Sequence, residues 1–376
     1  MEVLDLAFRF VAVPVVMLTV LVFVHEFGHY WVARRNGIKV DVFSIGFGPE
    51  LFGWYDECGT RWRISAIPLG GYVKMFGDAD AASKPSESLA AMDEAERAVS
   101  FHHKSLGARA AVIAAGPAAN FLFAIFALAM LFMIVGQPYT PPVIDQVVPD
   151  GAAAAAGMQP GDRVVQLDGR KIDRFEDIQE VVVRSPGVPL HFMVKRGEDL
   201  VDLTLTPRQR EAADPFGKTH TTGFIGVIRG SDEYLRHNPL QAVWAAMGET
   251  FRLSVNTLGS VWEMITGARG TDELGGPIGI AQISGQVAKI GLVPLIWLTA
   301  VLSINLGLIN LFPIPVLDGG HLLFYAFEAI RGRPLGEKAQ EYGFRIGLAL
   351  VLSLMVFATS NDLFRNGLVD LVRSLL

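Results

Sequence analysis

The chain has 376 residues, 51% hydrophobic and 19% charged, with 32 Lys and Arg against 38 Asp and Glu for a net charge of −6. Counting Gly and leaving out Tyr, about 59% of the residues are apolar against roughly 45–50% in soluble domains, an excess that points to lipid contact and not to a larger core. The absence of a long basic tract argues against a nucleic-acid partner, and a single cysteine, Cys58, excludes an internal disulfide.

In chain order, the first apolar stretch covers 10–32. Arg9 is balanced by Glu2 and Asp5, and no A-x-A-like site follows, so this segment is expected to be retained and not removed as a signal peptide. Further stretches approach spanning length at 110–135, at 292–312 running on toward Asp318, and at 346–359, the shortest. Basic residues gather after the first (Arg34, Arg35, Lys39), before the second (Lys104, Arg109) and between the third and fourth (Arg331, Arg333, Lys338, Arg345). The positive-inside tendency puts these loops in the cytoplasm and both termini, with segment 136–291, outside it. Arg365 and Arg373 run against that orientation.

Between the first two stretches, period-two alternation on either side of Pro68-Leu69-Gly70-Gly71 predicts a β-hairpin over 61–75. Residues 78–100 read as an acidic, polar linker with one short helix. From 143 to 206 the texture is that of a soluble β-rich domain, with strands expected at 143–148, 163–167, 190–195 and 201–205 and a short helix between Gly151 and the glycine stop Gly157. Residues 239–267 are mostly apolar but interrupted by Glu249, Arg252 and Glu263, which fits either an interfacial amphipathic helix or a further span.

His25-Glu26-Phe27-Gly28-His29 carries the strongest chemical signal. On a helix, residues i and i+4 share a face, so two imidazoles can hold one Zn²⁺ while Glu26 serves as general base toward water at the metal. Burying two His and a Glu in an apolar span is costly without such a role. Catalytic zinc usually takes three protein ligands. Tyr30–Asn36 lacks the G-x-x-H continuation of soluble zincins, so the third ligand must be distant; Asp318, beside helix-breaking prolines and two glycines, stands out. His25 and Asp318 can meet only if their segments run in the same direction. That requires one crossing between them and places 239–267 on the membrane surface. His321, three residues on, reads as a supporting or structural residue, Gly28 as a site of close helix approach, and Asn305 and Asn310 as interhelical hydrogen-bonding amides.

Together HEFGH at 25–29, IPLGGYVKM at 67–75, GPAAN at 116–120 and NLFPIPVLDGGH at 310–321 resemble the site-2 protease family of intramembrane zinc metalloproteases, most closely its bacterial regulator-of-sigma-E protease branch. Gly157–Gly169 is similar to the GL-x-x-GD-x-I-x-x-x-NG pattern of bacterial PDZ domains, with Asp168 where Asn is common. The resemblance implies a polytopic α-helical membrane protein with four transmembrane helices, a membrane-associated β-hairpin and an inserted β-rich PDZ domain. The expected organisation is a first span at 1–35, a cytoplasmic loop at 36–109, a second span at 110–136 and an extracytoplasmic PDZ domain at 140–208. A linker with a membrane-surface helix follows at 209–290, then a third span at 291–320, a cytoplasmic loop at 321–345 and a fourth span at 346–376. Well-known members of the branch carry two PDZ domains in tandem, whereas 143–206 has room for one.

By the same resemblance His25, His29 and Asp318 bind zinc, Glu26 is the catalytic base, and Asn310 holds the substrate backbone. The hairpin, through Ile67, Gly70, Gly71 and Tyr72, pairs with an unwound substrate segment, and Gly161 and Asp162 belong to peptide recognition in the PDZ domain. The implied activity is regulated intramembrane proteolysis of single-pass proteins in the bacterial inner membrane, with the active site toward the cytoplasm. An anti-sigma factor already cut by an upstream site-1 protease is the substrate implied, with remnant signal peptides as a second class. Rival readings are a non-catalytic membrane-anchored PDZ adaptor and a metal transporter using the same three ligands.

Overall fold

The computed structural model describes residues 8–78, 91–213, 219–230, 233–267, 270 and 275–365. It divides into a unit formed by Met1–Leu131 with Pro239–Leu376 and a second unit, Phe132–Asn238.

Among the described residues, four helical segments are long and apolar enough to cross a membrane: Phe8–Arg35, Leu106–Ile134, Leu292–Leu311 and Lys338–Leu363. A π-helical turn at Phe8–Ala12 leads into α1 (Val13–Arg35), with Pro14 next to the junction of the two. After α1 comes a two-stranded sheet of β1 (Val40–Tyr55) and β2 (Arg61–Met75). Here the expected hairpin is corrected. Residues 61–67 do not fold back on 72–75 across Pro68–Gly71; both belong to β2. Segment 42–45 of β1 is partnered by 61–64 on one side and by 71–74 on the other. The reversal lies at Asp56–Thr60, where the Asp56 carboxylate accepts hydrogen bonds from the Cys58 and Thr60 amides, the Trp62 indole and the Tyr30 hydroxyl. Pro68 and the glycines fall where the register slips, which is where a strand tolerates proline.

The short helix α2 (Glu94–Val99) starts on an Asp93–Glu96 capping box. Asp80, Pro85 and Glu87 of the expected linker lie outside the described residues. A single 3-10 turn, Phe101–His103, then reaches α3 (Leu106–Ile134). His102 contacts the buried Asp78 carboxylate at 2.9 Å, tying this turn to the end of β2. Ile38, Val40, Phe43, Val73, Met75, Phe101 and Val112 form a buried cluster between the sheet and the ends of α1 and α3.

Strands β3 (Gln137–Tyr139) through β12 (Glu233–Leu235) belong to the second unit. Its four-stranded sheet runs β6 (Arg170–Lys171), β5 (Arg163–Leu167), β7 (Leu190–Arg196), β8 (Asp199–Leu205). Two helices, α4 (Ala152–Ala155) and α5 (Phe175–Arg184), accompany it. The core is apolar, with Ile144, Val164, Ile178, Phe192 and Val194 buried together. The expected end of this domain at 208 is too early. β9 (Arg208–Ala213) pairs with β10 (Thr219–Phe224), β11 (Val227–Arg229) pairs with β4 (Ile144–Val147), and Ile225 enters the core. What reads locally as a linker is therefore a return strand, whose partner lies about eighty positions earlier in sequence.

The first unit resumes with α6 (Pro239–Ile265), α7 (Pro277–Ile290), α8 (Leu292–Leu311), α9 (Asp318–Arg331) and α10 (Glu337–Arg365). α7 was not anticipated. At 14 residues it is about 21 Å long, short of the ~30 Å of a hydrocarbon core. Its N-terminus is closed by the buried Asp362 carboxylate of α10, which accepts from the Gly276 and Gly279 amides at 3.0 and 2.8 Å. The third span ends at Leu311, and Asp318 opens a new helix instead of finishing the old one. Residues 321–345, expected as a loop, are mostly helical because α9 continues to its left-handed glycine stop, Gly332. Arg109 of α3 holds α9 through a two-point contact with Glu328, at 2.5 and 3.3 Å, and lies 4.9 Å over the Tyr325 ring. The last residues of the expected fourth span, 366–376, lie outside the described residues.

Candidate metal centre

Helical spacing places His25 and His29 one turn apart on the buried face of α1, with 8% and 7% exposure. The two Nε2 atoms are 3.2 Å apart. The third donor arrives through 312–317, which breaks the chain between α8 and α9. Pro313 and Pro315 cannot continue a helix, and Gly319 and Gly320 lie where a Cβ would strike the Leu311, Phe312 and Ile314 carbonyls. Val316 takes φ 98°, a strained value for a β-branched residue. The turn delivers Asp318 Oδ2 to within 3.1 Å of His25 Nε2 and 3.6 Å of His29 Nε2.

These atoms behave as a ligand set. His29 Nδ1–H donates to the Val112 carbonyl at 2.8 Å, which leaves its Nε2 lone pair facing the other donors. Asp318 Oδ2 is buried and accepts no hydrogen bond, despite the nearby imidazoles. A tetrahedral ion at about 2.0–2.1 Å from each ligand needs ligand separations of roughly 3.3–3.4 Å, and the three observed distances bracket that value. Zinc fits the residues present. Among the described residues, this is the one group of His, Cys, Asp and Glu that converges in this way.

Close helix approach makes the geometry possible. A Cβ on Gly116 of α3 would collide with the His29 and His25 rings, and one on Gly28 would collide with the Ala115 carbonyl and the Ala119 side chain. Small residues at a helix crossing are how membrane helices come this near. Gly28 thus faces α3, as its sequence context implied.

A cavity of about 200 Å³ opens on the donors, and Glu26 lines it beside Gly71, Tyr72 and Asn310. Gly71 packs on Glu26 so closely that a Cβ there would lie 3.2 Å from its Cγ. Of the residues expected from sequence, His25, Glu26, His29, Asp318, Asn310, Gly71 and Tyr72 meet at this cavity. Ile67 is instead half-exposed, and Gly70 lies against the Phe47 ring. Val73, Met75, Ile113, Val316 and His321 also line the cavity and were not anticipated as lining residues. Only His321 carried a usable signal, its proximity to Asp318; the others arrive by tertiary packing.

In the second unit, a groove of about 360 Å³ runs between α5, through Ile178 and Val182, and the 223–229 segment. Gly161 and Asp162 are not among its lining residues. Gly161 has φ 90°, and the buried Asp162 carboxylate is held by Arg196 at 2.7 and 2.8 Å and by the Gln159 amide. Burial alone would raise the Asp162 carboxyl, but these donors hold it below its ordinary value.

An HExxH helix, a distant carboxylate and a set of apolar spanning-length helices define the class: a membrane metalloprotease. The family model described as Peptidase family M50 matches residues 13–354. A relative from Agrobacterium fabrum, Atu1380, named as a zinc metalloprotease, is 49% identical over 93% of this chain and 94% of its own length. Metalloprotease MmpA of Caulobacter vibrioides is 39% identical over 93% and 94%. Regulator of sigma-E protease RseP of Escherichia coli is 34% identical over 93% and 97%. Among solved structures, the PDZ domain of an SdrC-like protein from Listeria innocua aligns over 26% of this chain and 99% of its own, at 18% identity and TM-score 0.20. The chain belongs to peptidase family M50, the site-2 proteases. It is an intramembrane zinc metalloprotease, as the resemblance read from its motifs implied.

Proposed function

We propose that His25, His29 and Asp318 hold the zinc and that Glu26 is the general base for hydrolysis of a peptide bond in a single-pass membrane protein. The observation carrying this reading is the convergence of three ligand atoms, all within 4.8 Å of one another, at a cavity that Glu26 lines. When bound, zinc supplies Lewis-acid polarisation of a carbonyl and of the attacking water. Glu26 takes the proton from that water and passes it to the leaving amine nitrogen. Asn310, on the same cavity, offers an amide to the substrate backbone.

A transmembrane helix hides its peptide bonds in internal hydrogen bonds, so the substrate unwinds before it reacts. The end of β2 at Gly71 and Tyr72 borders the cavity and offers backbone to an extended segment. Basic residues at the ends of α1, α3 and α9 support an active site toward the cytoplasm and a second unit outside it. His25 lies late in α1 and Asp318 just past the end of α8, so these helices run in the same direction; with α3 between them, α6 lies on the membrane surface. Its outward residues Trp244, Phe251, Val255 and Trp262 suit that placement. The second unit is a PDZ domain, a reading supported by its Gly157–Gly169 motif and by the α5 groove, which has the shape to take an extended peptide. An anti-sigma factor shortened by an upstream site-1 protease is the substrate class this reading favours.

The Glu26→Gln variant is expected to fold, to bind zinc as the parent does and to lose at least about 10²-fold in cleavage of a model single-pass substrate. Parental cleavage by that variant would falsify the mechanism.

A further inference from the structure

Asn120 is fully buried on α3, at the depth of the metal donors. Its backbone carbonyl accepts from the Ser303 hydroxyl of α8 at 2.8 Å, which fixes the residue between two helices. Its side-chain amide meets His25 Nδ1 at 3.1 Å, the nitrogen that faces away from the other donors. As placed, Nδ2 is the contacting atom and Oδ1 is buried without a partner. Amide oxygen and nitrogen are nearly isosteric, so the orientation follows from the chemistry of the partner.

If Nδ2 donated to Nδ1, the His25 proton would sit on Nε2, the atom that faces His29 and Asp318, and His25 could not be a ligand. With the amide turned, Nδ1–H donates to Oδ1 and the Nε2 lone pair is free. His29 already shows that arrangement with the Val112 carbonyl. Both imidazoles would then be oriented by oxygens of one helix, α3, two turns apart. We propose that Asn120 is a positioning residue: its Oδ1 accepts the Nδ1 proton of His25 and holds the tautomer whose Nε2 faces the metal. This rests on the zinc-ligand reading above.

The test is zinc affinity of the full chain in detergent, by competition with a chromophoric chelator, alongside thermal unfolding of the metal-free protein. Asn120→Leu keeps the branched shape but removes the acceptor, and should weaken zinc about 10–100-fold while leaving metal-free unfolding near the parent. Asn120→Asp keeps an acceptor at the same place and should bind zinc at least as tightly as the parent. Parental affinity in Asn120→Leu overturns the inference, as does equal loss in both variants, which would assign Asn120 a donor role. If Asn120→Asp does not fold, Asn120→Ala replaces it, with weakened zinc expected and parental affinity overturning. His29→Ala is the control. Zinc retained there breaks the ligand reading itself, whereas zinc lost there and kept in Asn120→Leu breaks only the role of Asn120.

Discussion

In the β-rich unit the buried core is Phe192, Val194, Val164 and Ile178, with Asp162 and Thr140 buried among few polar side chains, whereas the membrane unit buries, beside Phe43, Val112 and Leu128, the polar set His25, His29, Asn120, Ser284 and Ser303. The outward faces differ in the opposite sense: Leu122 and Phe126 on α3, and Leu350 and Val356 on α10, are exposed. Water drives apolar side chains inward in the first case. Between helices in lipid that drive is absent, so close approach depends on small residues and polar contacts. A membrane interior can therefore hold a polar reaction centre beside its apolar cluster, provided glycines make room.

That contrast predicts how each unit breaks. The largest effect is expected for Gly116→Val, because its side chain would occupy the space of the two imidazoles. Zinc content by metal analysis should fall to background and cleavage with it, while amide hydrogen exchange of the β-rich unit stays as in the parent. Phe192→Ala is the reciprocal case. Loss of a fully buried ring should destabilise the β-rich unit by about 3–5 kcal/mol, read as faster exchange in β5 and β7, with zinc content unchanged. A zinc loss in Phe192→Ala would contradict the independence of the two.

The smallest effect concerns Asp162, the buried charge in the otherwise apolar unit. Its folded-state pKa lies below the ordinary value, so its contribution is complete above the ordinary carboxylate range and is lost as pH falls through the lowered pKa. Removing the guanidinium in Arg196→Gln should bring the folded-state pKa back toward the ordinary value, so that less stability is lost over the acid limb and the loss ends at a higher pH, measured by unfolding of the β-rich unit. An unchanged acid limb would mean that the Asp162–Arg196 contact contributes nothing to folding.

Much of the site was legible because its signals are local. HEFGH works through helical periodicity, and Asp318 is marked by the prolines and glycines around it. The β1–β2 pairing was not legible. Pro68 to Gly71 has every local attribute of a turn, yet Val42–Ile45 claims both flanking segments as partners. Likewise Phe224–Ile228 is an apolar run, yet nothing nearby reveals that β11 pairs with a strand begun at Ile144. The helix α7 escaped notice because its apolar run is too short to span and is glycine-rich at its start.

By itself, then, the amino-acid sequence determined the lipid-facing character of the chain, the paired imidazoles with their adjacent carboxylate, and the need for a distant third donor, since composition and short-range periodicity encode all three. Which groups complete the centre was decided only by tertiary structure: Gly116 admitting α3, Val112 and Asn120 at the far nitrogens of the imidazoles, and the end of β2 beside Glu26. The physical reason is that these contacts join segments up to 95 residues apart, and no local preference of a side chain records the partner it will meet across a helix interface.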